Sequence, residues 1–323
     1  MPKAIARHRL RTQLFSSFVG IFLIATAASA QQKPKLRPLR IALPAHSVSA
    51  TAVYVARSLG IFERYGFDPQ ILVLEPRAAL AAMLTGDLDF YAAVGTVGRA
   101  ALSGVPVRVV VVALNRSDLV LLASRDITAV EQLRGKALGG YTAQASVNVI
   151  LTELLRLKGL RPDEYTILNV GTARAVSLMS GNVPAAVVNG VEAARLVRKG
   201  FHVLARAAEF DLPSGGLGAS MAALESKRDV LRSTVRAVLE GIRITATQKD
   251  KVLPIYMKQF ALNEDEARFV YDNVEGAWAL DGRQTVNAQK LDAELTRRSL
   301  GLKEAAKSEQ IYDFSLLDEL KQK

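Results

Sequence analysis

The sequence predicts an α/β fold of two doubly wound lobes facing each other across a cleft, with a helical C-terminal portion. Two observations predict it. First, apolar strand-like runs alternate with segments of helical periodicity from residue 39 to about residue 223, the pattern of sheets covered by helices on both faces. Second, one pattern occurs twice. Leu84-Thr85-Gly86-Asp87-Leu88-Asp89-Phe90-Tyr91-Ala92-Ala93-Val94-Gly95 is followed 95 positions later by Met179-Ser180-Gly181-Asn182-Val183-Pro184-Ala185-Ala186-Val187-Val188-Asn189-Gly190. Each reads as a helix end, a Gly stop, a polar turn residue, a buried strand and a second Gly. At the same offset residues 40–47 align with residues 135–142. An α/β unit built twice gives two similar lobes, and a cleft between lobes is a default small-molecule site.

The elements follow in order. Residues 39–43 form a buried strand, and residues 51–59 a helix closed by Gly60, where a left-handed residue ends the turn. A helical turn at 62–65 stops at Gly66, and 70–74 is the next strand. A helix at 78–84, a strand at 90–94 and a helix at 96–102 lead into the continuous β-branched run 107–113, which belongs to a parallel sheet buried on both faces. The second series has strands at 119–123, 136–138, 166–170, 185–188 and 203–205, and a long helix at 146–158 stopped by Gly159. Beyond Ala223 the chain turns helical. Ser226, three residues before Asp229, is placed to cap a helix with Leu231, Val235, Val238 and Ile242 as its stripe. Shorter helices follow near 251–260, 265–274 and 288–299.

Polar or Gly-rich segments at Asn115-Arg116-Ser117-Asp118 and Leu212-Pro213-Ser214-Gly215-Gly216 mark two crossings between lobes. The expected division is a discontinuous first lobe, residues 39–116 and 217–323, and a second lobe, residues 117–216. Two crossings make a hinge that closes through small dihedral changes.

The N-terminus carries a cationic stretch (Lys3, Arg7, Arg9, Arg11), an apolar run from Leu14 through Ala28, and small residues at Ala28-Ser29-Ala30 before Gln31. Residues 1–30 therefore read as a secretory signal peptide, the run being shorter than the roughly 20 residues of a membrane span. The expected compartment is the periplasm. The sequence has no Cys, which removes lipid anchoring at a lipobox, disulfides and thiolate chemistry together. Without the four N-terminal cations, 38 Lys and Arg face 31 Asp and Glu. The excess is dispersed, as at Arg228, Arg232, Arg236 and Arg243, with few aromatics among it, so no nucleic-acid stripe is present. A basic balance favours anionic ligands through its long-range field.

Four segments resemble a known family. Residues 54–69, containing Gly60-Ile61-Phe62 and Tyr65-Gly66-Phe67-Asp68, are similar to its "A-K-x-x-G-Y-F-x-x-x-G-L-D-V" stretch. Leu84-Thr85-Gly86-Asp87-Leu88-Asp89-Phe90, Gly104-Val105-Pro106-Val107 and Ile127 through Leu133-Arg134-Gly135-Lys136 resemble its "L-x-x-G-x-x-D-F", "x-G-x-P-v-k-v-v" and "I-x-x-x-x-D-L-K-G-K" landmarks. Their order, over about residues 39–280, resembles the nitrate/sulfonate/taurine-type substrate-binding proteins of ABC importers, a group that includes thiamine-pyrimidine precursor binders. The resemblance implies the type II periplasmic binding protein fold. It further implies a monomer that captures a small organic anion or polar heterocycle and delivers it to a permease and ATPase complex in the inner membrane. Leu74-Glu75-Pro76-Arg77 departs from the family by lacking the Gly/Ser-rich run often found there.

Ligands in doubly wound lobes sit at the carboxyl ends of strands, where helix N-termini point. Four such ends are expected to bind: Pro44 to Thr51, including His46, Ser47 and Thr51; Gly95-Thr96; Gly139 to Ser146, including Gly140, Tyr141, Thr142 and Ser146; and Asn189-Gly190 with Glu192. Asn115 joins them from the first crossing, and Arg99 and Arg116 lie near enough to neutralise an acid. Trp278, the only Trp, is either a core residue or a stacking platform. No nucleophile elbow, phosphate loop or metal-ligand spacing is present, so the sequence offers no catalytic residue, metal or cofactor site. An exported enzyme on the same fold, or a ligand-presenting partner of a membrane receptor, are the alternatives.

Overall fold

The structure, a computed structural model, describes residues 35–141 and 146–321. The expected signal peptide and Thr142 lie outside the described residues, and of Ser146 only its backbone is described.

Two five-stranded sheets with one topology organise the chain. The first series comprises β1 (Arg37–Leu43), α1 (Thr51–Ser58), α2 (Ile61–Arg64), β2 (Phe67–Val73), α3 (Pro76–Thr85), β3 (Phe90–Tyr91), α4 (Val94–Leu102) and β4 (Val107–Leu114). The second comprises β5 (Val120–Ala123), β6 (Ala137–Gly140), α5 (Ser146–Leu157), β7 (Thr166–Asn169), α6 (Arg174–Met179), β8 (Ala185–Val188), α7 (Gly190–Arg198) and β9 (His202–Arg206). The chain then returns through β10 (Gly215–Ser220) and α8 (Met221–Ser226) to α9 (Arg228–Thr247), α10 (Lys249–Phe260), α11 (Glu264–Asp272), α12 (Val286–Ser299) and α13 (Ser315–Lys321). Strand orders are β2-β1-β3-β10-β4 and β7-β6-β8-β5-β9. Each sheet carries an apolar cluster on both faces, as a doubly wound lobe requires.

The repeat seen in sequence is the repeat of this topology. β1 and β6 hold the second position of their sheets and pair in parallel with β3 and β8 through Ile41↔Phe90 and Gly139↔Ala186. The strand that enters each lobe after a crossing, β5 or β10, runs antiparallel to both neighbours.

That last feature corrects the expectation of parallel sheets. The strand β4 is buried and β-branched, yet it pairs within the sheet only with antiparallel β10. Its other side is covered by the C-terminal region. Val109 bridges Tyr312, Leu114 bridges Trp278, and the Val112 N–H donates to the Gly282 carbonyl at 2.8 Å. Burial of β4 thus comes from a covered edge. Nor was β10 expected as a strand, because Gly-Gly-Leu-Gly has little strand propensity. Its glycines answer to close approach instead: a Cβ at Gly218 would lie 2.5 Å from a Val97 methyl, where α4 closes on the sheet. Two smaller differences lie at helix starts. Val94 begins α4 instead of ending β3. Ser226 does not cap α9; its hydroxyl donates back to the Ala222 carbonyl at the end of α8.

The two crossings run side by side. The Ser214 N–H donates to Leu114 O at 3.0 Å, the Ala207 N–H to Leu119 O at 2.9 Å, and Arg116 pairs with Asp211 at 2.8 Å. Trp278 packs in the core beside β4, only 7% exposed. Among the described residues no helix is long and apolar enough to cross a membrane.

The long helix α9 lies directly on α1, and a Cβ at Gly241 would sit 2.4 Å from the Ala52 carbonyl oxygen. Helix propensity alone favours Gly241→Ala by about 1 kcal/mol, whereas overpacking against a backbone atom costs roughly 1–3 kcal/mol. The steric term should win. Gly241→Ala is expected to unfold at lower urea than wild type, and a variant more stable than wild type would refute this packing.

Candidate functional site

A cavity of about 370 Å³ opens between the lobes at the carboxyl ends of their strands. From the first lobe, Pro44, Ala45, Ser47 and Ser49 follow β1, and Ala92, Ala93, Gly95, Thr96 and Arg99 follow β3 and begin α4. From the second, Val147, Val149 and Ile150 come from α5, Arg174 from the start of α6, and Asn189 from the end of β8. Ser117 to Leu119 and Leu212 to Ser214 supply the floor from the crossings, and Asp292, Leu295, Thr296 and Ser299 of α12 close another side.

The expected site residues divide between this cavity and its surroundings. Ser47, Gly95, Thr96 and Asn189 line it. Ser47 and Ser49 hydroxyls bond each other at 2.8 Å, and the Thr96 hydroxyl accepts from Arg99 at 3.4 Å. Outside the lining, His46 Nδ1 lies 2.8 Å from the Tyr54 hydroxyl, with Gln259 Nε2 at 3.3 Å. The Thr51 hydroxyl, fully buried, donates to Val48 O at 2.7 Å and lies 3.0 Å from that of Tyr256. Asn115 is held in the crossing by its N–H to Ala277 O at 2.7 Å. Glu192 is engaged in the capping box of α7, exchanging hydrogen bonds with Asn189 at 2.9 and 3.2 Å.

In the Gly139-Gly140-Tyr141 turn the backbone of Tyr141 is engaged by the protein. Asn148 of α5 takes both the N–H and the carbonyl of Tyr141, each at 2.8 Å. Gly140 faces Ile167 and Asn148, where an added Cβ would lie 2.3 and 2.5 Å from their side chains. Tyr141 instead lines an adjoining outer groove with Val149, Arg156, Leu295 and Arg298. Arg116 is exposed and paired with Asp211.

Three residues that define the cavity's charge escaped the sequence reading: Arg174, Asp118 and Asp292. Arg174 donates Nε to Val187 O at 2.8 Å and Nη1 to Gly171 O at 2.6 Å, and its guanidinium stands 5.7 Å from the Tyr141 ring centre. Burial lowers its proton affinity, and Glu192 and Tyr141 partly restore it. None of the ion pairs among the described residues involves it. Asp118 accepts the Gly190 N–H at 3.1 Å at the N-terminus of α7; burial raises its pKa and that N–H draws it back. Asp292 accepts the Tyr312 hydroxyl at 2.5 Å and interacts electrostatically with Arg99. Each acid thus accepts a hydrogen bond from the protein, while Arg174 is fixed by neutral carbonyls. The lining is otherwise mostly aliphatic, suited to an organic body with one anionic group. Among the described residues no group of three His, Asp or Glu side chains converges to hold a metal ion.

The NMT1/THI5-like family model matches residues 47–251. The riboflavin-binding protein RibY of Chloroflexus aurantiacus is 25% identical over 221 residues, which cover 67% of this chain and 62% of RibY, less than two thirds of that protein's length. Among solved structures, the periplasmic aliphatic sulphonate binding protein SsuA from Escherichia coli is similar with TM-score 0.71 at 16% identity, over 86% of this chain and 92% of SsuA. The periplasmic nitrate-binding protein NrtA from Synechocystis PCC 6803 gives 0.70 at 11%, over 90% and 89%. The desulfurization enzyme DszB gives 0.62 at 13%, over 88% and 99%. At such identities the likeness shows the fold, the two-lobed α/β architecture of periplasmic binding proteins, which an enzyme also uses.

Burial pushes the Asp292 carboxyl up to about 6, against the downward pull of Tyr312 and Arg99. A folded-state pKa above the unfolded value means that the native state binds the proton more tightly. The resulting stabilisation is complete below about pH 4 and is lost as pH rises through about 6, a change of roughly 3 kcal/mol at 1.36 kcal/mol per unit. Asp292→Asn removes this titration. Urea unfolding across that window should show the stability difference moving toward the variant as pH rises; a constant difference would contradict the assignment.

Proposed function

This chain belongs to the NMT1/THI5-like family, and from that premise we propose that it is a periplasmic solute-binding protein of an ABC importer. In this reading it captures a small organic anion between its lobes and delivers it to a membrane permease. Arg174 carries the ligand class. A half-buried guanidinium oriented by two carbonyls, with no carboxylate partner among the described residues, is a preformed receptor for a carboxylate or sulfonate. The aliphatic walls would take the rest of the solute, and Ser47, Thr96 and Asn189 are the sequence-expected residues placed to reach it. Export through residues 1–30, a monomeric state, and lobes of residues 39–116 with 217–323 and of 117–216 complete the proposal. The paired crossings would act as the hinge.

Capture is favoured over turnover by the chemistry of the lining. Its hydroxyls at Ser47 and Ser49 bond each other without a base, and both of its carboxylates are engaged by protein donors. A stacked flavin, the kind of ligand named for RibY, draws less support, because no aromatic ring lines this cavity among the described residues.

A thermal-shift screen of carboxylates, sulfonates, nitrate, pyrimidines and riboflavin tests the reading. A ligand at about 100 times its dissociation constant adds roughly 2.7 kcal/mol, raising Tm by about 5 °C or more. Organic anions are expected as hits. Arg174→Gln should weaken them by about 2 kcal/mol, or roughly 30-fold, the scale for a hydrogen bond to a charged group. Unchanged affinity in that variant would move the anion site elsewhere, and consumption of a hit at catalytic turnover would replace capture with enzymatic activity.

A further inference from the structure

Helix α12 is a wall of the cavity that the family-matched segment does not supply. The match covers residues 47–251, and α12 begins at Val286. Yet Asp292, Leu295, Thr296 and Ser299 all line the cavity, one contiguous face at i, i+3, i+4 and i+7. That face is held from both sides. Ala293 joins the apolar cluster around α4 in the first lobe, and Leu295 packs against the cluster of the second.

The polar end of the stripe is Asp292. Its carboxylate accepts one hydrogen bond from Tyr312, itself pinned to β4 through Val109. An ionised carboxylate has about four lone-pair sites and no donor. The side chain is buried apart from the exposure it has at the cavity, so its remaining acceptor capacity is offered to Arg99 and to whatever occupies the cavity. Arg174 stands on a different wall, at the start of α6.

We infer that Asp292 is a specificity-determining residue that accepts a hydrogen bond from an O–H or N–H group of the solute. The ligand class is then an organic anion with an apolar body and a neutral hydrogen-bond donor, such as a hydroxy-substituted carboxylate or sulfonate. Simple oxyanions and unsubstituted sulfonates fall outside it. The inference rests on the reading of Arg174 as the anion anchor. A solute that brings an O–H or N–H adds a bond to this carboxylate and one that lacks a donor forgoes it, which is how a polar group at a site discriminates between solutes.

The test is calorimetric titration of the purified protein at about pH 8, where the carboxylate is ionised. The probes are benzoate and benzenesulfonate, each against its 3- and 4-hydroxy derivatives. Wild type should prefer a hydroxy derivative over its parent by at least about tenfold. Asp292→Asn, which puts an N–H₂ donor where an acceptor was, should bring that ratio to near one, whatever loss of the negative charge does to the affinity of the parent compound itself. Tyr312→Phe keeps the carboxylate and should keep the preference. A merely structural role for Asp292 would weaken parent and derivative alike and leave the ratio intact, which overturns the inference. If Asp292→Asn does not fold, parity between parent and hydroxy derivatives in wild type decides against it. Arg174→Gln tests the anchor separately, by weakening every probe to a similar degree; if no probe binds wild type, the anion reading falls and this inference with it.

Discussion

The geometry of the cleft depends on one buried carboxylate. Asp118 lies in the first crossing, buried at the floor of the cavity, and accepts the Gly190 N–H at the N-terminus of α7. Its backbone carbonyl in turn accepts the Asn273 side-chain amide at 2.9 Å. A buried charge without partners would be costly, but the positive end of a helix and a direct N–H donor offset much of that cost. Those contacts tie three things at one point: the crossing, the end of β8 where Asn189 faces the cavity, and the end of α11. The second crossing is then laid against the first by backbone bonds, including Ser214 to Leu114. Strand ends from both lobes therefore meet at a defined separation, and the cavity between them has a fixed floor.

Charge in the cavity is distributed unequally on that floor. Two arginines and two aspartates line it, which by formal count is neutral. Contacts break the balance. Asp118 accepts from the start of α7 and Asp292 from Tyr312 with Arg99 nearby, whereas among the described residues Arg174 meets carbonyl dipoles and an aromatic face. Neutral carbonyls orient a guanidinium without cancelling its charge. Burial magnifies what is left, because the same low dielectric that lowers the proton affinity of Arg174 strengthens its pull on an incoming anion.

What the sequence made legible is what local chemistry decides. Apolar runs located nearly every strand, Gly60 and Gly86 ended their helices at positive φ, and the doubled pattern marked equivalent strands. Ser47, Gly95, Thr96 and Asn189 reach the cavity because strand ends in such lobes must converge. The rest was decided at a distance. β10 is a strand because three glycines let α4 and neighbouring backbone approach, which no propensity records. Burial of β4 depends on Tyr312 and Trp278, far along the chain. Arg174 is fixed at the cavity because the carbonyls of Gly171 and Val187 lie where its guanidinium ends. Asp292 enters the site from a helix that no strand-end rule points to.

The repeat explains the fold more fully than it explains the site, and Asn148 shows why. By the shared offset, the turn after β6 should mirror the loop after β1. In the first lobe that loop is open to the cavity through Pro44, Ala45 and Ser47. In the second, Asn148 closes on the Tyr141 backbone from one turn into α5, and Gly140 is packed beneath it. One side chain thus engages both backbone groups of Tyr141, and the second lobe lines the cavity with Arg174 and the aliphatic face of α5. Duplicated units supply two frames that meet, but each frame's free N–H and carbonyl groups belong to whichever partner reaches them first. An asymmetric solute, charged at one end and apolar along its body, is what two such unequal frames can hold.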